Sequence, residues 1–170
     1  MYSNKPDIKT ICKRDFSDSV NNLKRYNQAP AFFDMKFAQY AVGQHYTESL
    51  HRLRIQNSDF RNCCFSAPIT RTNISGSNYV NCKFEATDIQ NSNFQFGTFE
   101  NCRFDRNYIE GSNFSNCFMS DVTISNNRLI GSNFLRTRFR NCHFCGGEML
   151  SSSLEFAEFQ NTYFENLRLA

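Results

Sequence analysis

A large apolar residue stands at every fifth position from Ile69 to Leu169, without a break. The series runs through Ile74, Tyr79, Phe84, Ile89, Phe94 and Phe99 and closes with Phe159, Phe164 and Leu169. Two residues before each of these centres sits a small or neutral side chain, beginning Ala67, Thr72, Ser77, Cys82, Thr87 and Ser92. Neither series contains a charge. A period of five belongs to neither an amphipathic helix nor a half-buried strand, so it is an internal repeat and governs every later reading.

Suppose that the centre and the small residue behind it point inward and the other three face water. Each unit is then one side of a coil, and four units close a turn of about twenty residues. The longer period recurs independently in Ser92-Asn93-Phe94, Ser112-Asn113-Phe114 and Ser132-Asn133-Phe134. Stacking at twenty produces internal columns such as Phe84, Phe104, Ile124, Phe144 and Phe164. A solenoid buries like on like, and stacked rings add about 0.5–1.5 kcal/mol per pair beyond burial. This accounts for 19 Phe and no Trp, since an indole would carry an N–H with no partner into a narrow interior. Asn73, Asn93, Asn113 and Asn133 form one outer column; Asn81, Asn101, Asn141 and Asn161, with Asp121 between them, form another. Asn suits turns, and its amides can bond along a stack.

The pattern has edges. Phe60 and Phe65 are centres, but Phe65 to Ile69 is one residue short, which predicts a distorted corner near Pro68. Before Ile55 the register is lost, and the stretch 17–53 reads as helical. Ser17 precedes a segment with Val20 and Leu23. Pro30 opens one with Phe33, Phe37, Tyr40 and Ala41, stopped by Gly43, and Thr47 caps a short helix with Leu50 and Leu53. The expected organisation is a helical capping segment over residues 1–54 and a coil over 55–170, the cap covering the first coil. If the chain stops at Ala170, inside a unit, the last coil is bare. Either two chains then meet end to end as a homodimer, or the sequence continues.

Charge narrows the function classes. Residues 1–54 carry nine Lys or Arg and five Asp or Glu; residues 55–170 carry ten and eleven. Neither part has the single-sign field of a nucleic-acid binder, so direct nucleic-acid binding is not expected. There is no apolar leader and no run near the ~20 residues that span a bilayer, which makes the cytoplasm the default compartment. Cys63, Cys82, Cys102, Cys117 and Cys142 fall at the inward position and read as small fillers in a reducing compartment. Cys142 and Cys145 face opposite ways and cannot grip one ion; His45, His51 and His143 lie far apart in the register. No metal and no cofactor are expected. Glu85, Asp88, Glu100, Asp105 and Glu110 are scattered and read as solvated, and no nucleophile, base and orienting group converge. Enzymatic activity and catalytic residues are therefore not expected.

Some outward positions depart from a solvated surface. Phe96, Phe118, Phe156, Ile130, Leu135 and Leu150 are large and apolar where the register faces water. Phe96 and Phe156 share a column with Asn116 and Arg136; Leu135 adjoins it, and Arg138 and Arg140 follow on one edge. Apolar groups beside Arg have the composition of an interface. Phe96, Leu135, Arg136, Arg138, Arg140 and Phe156 are the candidate partner-binding residues, against the alternatives of ordinary surface or contact with the N-terminal segment.

The units Ser-Asn-Phe, Cys-Lys-Phe and Cys-Arg-Phe, each followed by two variable residues, resemble those of the pentapeptide-repeat proteins over roughly residues 55–170. The resemblance implies an all-β solenoid, a right-handed quadrilateral β-helix, here with an N-terminal α-helical cap. It implies a non-enzymatic scaffold that binds a protein partner. The start of the coil, Asn57-Ser58-Asp59-Phe60-Arg61-Asn62-Cys63-Cys64-Phe65, looks like that in some secreted ubiquitin ligases. A bacterial effector delivered into a host cell without a cleaved signal peptide is accordingly one reading. The alternative is a DNA mimic that binds DNA gyrase or topoisomerase IV, as quinolone-resistance members do, although the coil lacks the dense negative surface that mimicry needs.

Overall fold

The computed structural model describes residues 40–170. Over that range the chain winds into a coil whose three sides are parallel, seven-stranded sheets of two- and three-residue strands. The first sheet runs from Tyr40–Val42 to Glu158–Gln160, the second from His45–Tyr46 to Tyr163–Glu165, and the third from Leu50–His51 to Arg168–Leu169. The fourth side has single bridges only, through Arg54, Asn73, Asn93, Asn113, Asn133 and Ser153. The Asn side chains are the reason: the Oδ1 atoms of Asn73, Asn93, Asn113 and Asn133 accept from the backbone N–H two residues on, at 2.9–3.1 Å. Each side chain curls its own backbone into a turn and ends the strand pairing there.

Stacking follows the five-residue register. Phe84 lies on Phe104 with centroids 4.5 Å apart and planes 2° apart; Tyr79 and Phe99 are 4.6 Å and 6° apart. Neighbouring columns meet edge-on, as Tyr79 meets Phe84 at 62°, and so do facing ones, as Phe84 meets Phe94 at 79°. The rings thus satisfy both favourable aromatic geometries at once, parallel along the axis and T-shaped across it. At the residue two before the centre, Cys63, Cys82, Cys102, Cys117 and Cys142 are all buried, each with its thiol directed at a carbonyl oxygen of the preceding coil, 3.2–3.5 Å away. The same inward position also takes Asn107 and Asn127. Their Nδ2 groups donate to Phe84 O and Phe104 O at 2.8 Å, so a buried amide is tolerated because its hydrogen bonds are made.

Most corners turn on one residue with positive φ, two after the centre. Between the first and second sheets this is Gly43, Asn62, Asn81, Asn101, Asp121, Asn141 and Asn161. The expected amide ladder is present there: Asn81 Nδ2 donates to Asn62 Oδ1 (3.1 Å) and Asn101 to Asn81 (2.8 Å); above the break, Asn141 donates to Asp121 (3.0 Å) and Asn161 to Asn141 (3.4 Å). The carboxylate of Asp121 has no N–H to pass downward, so the ladder divides in two.

Two expectations need correction. The helix expected at residues 47–53, and the helical turn ending at Gly43, are coil instead: Tyr40–Val42, His45–Tyr46 and Leu50–His51 are the first strands. Gly43 is a corner residue with φ 63°. Ala41, Tyr46 and Leu50 are buried centres paired with Phe60, Phe65 and Ile69, so the coil starts by Tyr40 rather than at Ile55. The register was hidden because Tyr46 to Leu50 is itself one residue short, directly beneath the short step from Phe65 to Ile69. Both corners lack their positive-φ residue, and the short steps sit on each other so that the hydrogen bonds of both coils stay in phase. The helices expected between residues 17 and 39, and with them the rest of the cap, lie outside the described residues.

Candidate interaction surface

At the corner between the fourth side and the first sheet, the positive-φ residues are Asn57, Gly76, Phe96, Asn116, Arg136 and Phe156. Phe94 O accepts from Gly97 N–H at 3.0 Å, Phe134 O from Thr137 N–H at 3.0 Å and Leu154 O from Ala157 N–H at 3.0 Å. These are β-turns whose third residue has φ 60° at Phe96, 55° at Arg136 and 54° at Phe156. A turn of that kind favours Gly or Asn at the third position, which is what residues 57, 76 and 116 supply. Phe there is unfavourable twice over. Its Cβ meets the backbone in the left-handed region, at about 1–2 kcal/mol, and its ring stands in water. Phe96 is 60% and Phe156 68% exposed.

The surroundings of the column agree with its composition. The guanidinium carbon of Arg136 lies 5.9 Å from the Phe156 ring centroid, over its face. Arg138 projects from the adjoining strand Arg138–Arg140 and pairs with Glu158 at 3.2 Å, both side chains widely exposed. Across the ladder from Arg138 stands exposed Phe118. Leu135 is half-buried on the fourth side; Arg140 is exposed at the far end of its strand. The six sequence candidates therefore fall on one corner and the sheet beside it. Arg136 touches Phe156, and Phe96 lies three coils below Phe156, about 14 Å along the axis at ~4.8 Å per coil. Phe118 completes the exposed aromatic set. Its outward position is legible in the sequence, and the ladder sets it exposed beside Arg138. Ile130 and Leu150 are half-buried on the third sheet, away from this corner.

The remaining chemistry-bearing groups are held in structural roles. Burial pushes the Cys117 thiol up to about 12 and raises that of Cys142, while a hydrogen bond with Cys82 and then burial raise that of Cys63. These sulfurs stay protonated at neutral pH and are poor nucleophiles. His45 contacts Ser66 Oγ at 2.9 Å, His51 contacts Thr70 Oγ1 at 2.6 Å, and His143 pairs with Glu165 at 3.4 Å. Among the described residues no group of three or more His, Cys, Asp and Glu is placed to hold a metal ion, and no helix is long and apolar enough to cross a membrane. Asp105 departs from the solvated role expected of it. It is 5% exposed, accepts from Ser125 Oγ at 2.7 Å, and pairs with Arg103 and Arg106 at 3.3 and 3.1 Å. Those hydrogen bonds, the one from Ser125 above all, hold its carboxyl below the usual carboxylate range.

Comparison with known proteins bears on the coil. A family model described as pentapeptide repeats matches residues 69–106 and 108–146, in eight copies. No curated protein sequence matches the chain significantly. Among solved structures, the chain is similar to a trypsin-treated variant of QnrB1, a plasmid-mediated fluoroquinolone resistance protein, with 14% identity over 78% of this chain and 90% of that one, TM-score 0.49. It is also similar to a pentapeptide repeat protein from the thylakoid lumen of Arabidopsis thaliana (17% identity, 59% and 68% covered, TM-score 0.41). A third is the pentapeptide repeat protein Rfr23 from the cyanobacterium Cyanothece (14% identity, 76% and 90% covered, TM-score 0.32).

Proposed function

Residues 69–146 of this chain are pentapeptide repeats, and on that premise we propose that the protein is a non-enzymatic scaffold that docks another protein along the corner of Phe96, Arg136 and Phe156. The observation that carries this reading is the pair of exposed phenylalanines in left-handed turn positions, where three of the other four turns of the same corner use Asn57, Gly76 and Asn116 and the fourth carries Arg136. Strain of this kind, retained where a less strained residue is available, is a mark of a functional surface. Arg and aromatic side chains side by side are also the residue types that dominate binding energy at interfaces. Imitation of a nucleic-acid duplex is not favoured. Residues 55–170 carry ten basic and eleven acidic residues, and acidic groups such as Asp105 and Glu148 are neutralised in place by paired arginines.

The test combines stability with capture. Replacing Phe96 and Phe156 by Asn should raise the melting temperature by a few degrees, since each change relieves about 1 kcal/mol of backbone strain. A photo-crosslinking residue at Thr98, beside the corner, should capture a protein from the native lysate, and F96N/F156N should lose that capture. The control A86N also relieves a positive φ, at a different corner, and should leave capture intact. A lower melting temperature in F96N/F156N, or undiminished capture, would show that the phenylalanines serve the coil rather than a partner.

A further inference from the structure

We infer that the segment docking on this corner is acidic, presenting carboxylates to Arg136 and Arg140 and apolar side chains to Phe156, Phe118 and Phe96. The inference rests on the docking reading above and adds the chemistry of the occupant.

Five arginines elsewhere on the coil are matched to carboxylates within it. Arg61 pairs with Asp59 at 3.1 Å, Arg103 and Arg106 share Asp105, and Arg128 and Arg168 hold Glu148 at 2.7 and 3.6 Å. The coil side that carries Arg136, Arg138 and Arg140 is different. Only Arg138 has a carboxylate, Glu158, and that pair is 68% and 70% exposed, weak enough to be exchanged. Among the described residues, Arg136 and Arg140 have no ion pair; Arg136 lies over the Phe156 ring, which leaves its N–H groups open at the edge. Asp121, one coil below, is engaged by Asn141. Arg52 and Arg71 are likewise unpaired but belong to another corner, where no exposed Phe accompanies them.

Arg138 and Arg140 alternate along one strand and project outward about 6.6 Å apart, and Arg136 stands at the corner just before that strand. Their row crosses the axial Phe column at Arg136. A ligand that lies on both meets positive charge across the coil and rings along it. Planar guanidinium forks suit carboxylates, and a carboxylate over Arg136 would complete a sandwich with Phe156. A single-stranded nucleic acid also stacks on rings and pairs with arginine. It is disfavoured because Glu100, Glu155 and Glu158 intersperse this surface: a phosphate chain carries a charge at every unit and meets them all, whereas a peptide sets a few carboxylates against the arginines alone.

The experiment is selection of random dodecapeptides displayed on phage against the full chain, with R136N/R140Q for comparison. Both substitutions are at exposed positions, and Asn is favoured at the left-handed position 136, so the variant should fold and melt no lower than the wild type. Enriched peptides should be rich in Asp or Glu with an aromatic or aliphatic residue nearby. Synthetic copies should bind at least ten-fold more weakly to R136N/R140Q, and more weakly as salt rises. Neutral or basic enriched peptides, or equal binding to the variant, would overturn the inference. So would a labelled twelve-nucleotide thymidine oligonucleotide that binds more tightly than any peptide and is lost with the arginines. If no peptide is enriched while the Thr98 crosslink still captures a partner that F96N/F156N loses, docking stands and the acidic assignment fails.

Discussion

Asp105 occupies an outward position and is nevertheless 5% exposed, because Ser125 and Asn126 of the next coil and its flanking arginines close over it. The cover is one layer of side chains, so water still screens the charges. Replacing Asp105 by Ala should cost about 1–2 kcal/mol at pH 7, at the lower end if screening dominates. The sign in acid follows from the depressed pKa. Stability from the carboxylate is complete above the unfolded-state value of about 4 and is lost as pH falls through the lower folded-state value. Urea denaturation of wild type and D105A should therefore diverge at pH 7 and converge in acid; a gap that persists at low pH would assign the loss to packing. The sequence could place Asp105 on the surface but not bury it. Its cover comes from residues twenty and twenty-one positions away, whose side chains reach over it only once the coils stack. The same distance dependence explains the phenylalanines. Their outward placement is legible from the register, whereas the positive φ that makes them costly appears only in the folded turn.

At the scale of the element, the corner is the unit. One residue with positive φ turns the chain between sides, and the corners from Tyr46 to Leu50 and from Phe65 to Ile69 dispense with it. The second of these already stacks on a full-length corner at Ala86, so the coil tolerates one boundary between short and full corners. Inserting a Gly after Ser66 moves that boundary down by one coil and should change the melting temperature by no more than a couple of degrees. A Gly after Thr47 instead places a short corner between two full ones. It creates a second boundary, and it should lower stability by about 1–2 kcal/mol, several degrees. Equal effects in thermal unfolding would refute the account. The helical reading of residues 40–53 failed for a related reason: Leu50 and Leu53 happen to stand three apart, and a four-residue step disguises a five-residue beat. Of those two leucines only Leu50 is a buried centre.

Across the whole molecule, stability is distributed between neighbouring coils, and each coil touches only the next. Removing residues 108–127 joins Asn107 to Arg128, keeps the five-residue phase and sets Phe134 over Phe94, Phe139 over Phe99 and Phe144 over Phe104. Such a chain should fold cooperatively and melt a few degrees lower, partly because Asp105 loses Ser125. Removing only 108–112 breaks the fourfold phase, places unlike columns on one another and should abolish the sharp transition; circular dichroism melts of the two deletions decide it. The sequence alone determined the coil from Ile69 onward, its columns, its inward thiols and the residues that stand out on its surface. It could do so because a solenoid repeats one local geometry, and each position's direction follows from its place in a unit of five. Tertiary structure alone decided which outward groups meet. Arg136 over Phe156, Arg138 opposite Phe118 and Asp105 beneath its arginines are contacts between coils. The twenty-residue period sets which units stack, but how each side chain then meets its neighbour one coil away depends on rotamers and packing, and a periodic pattern read along the chain does not carry that information.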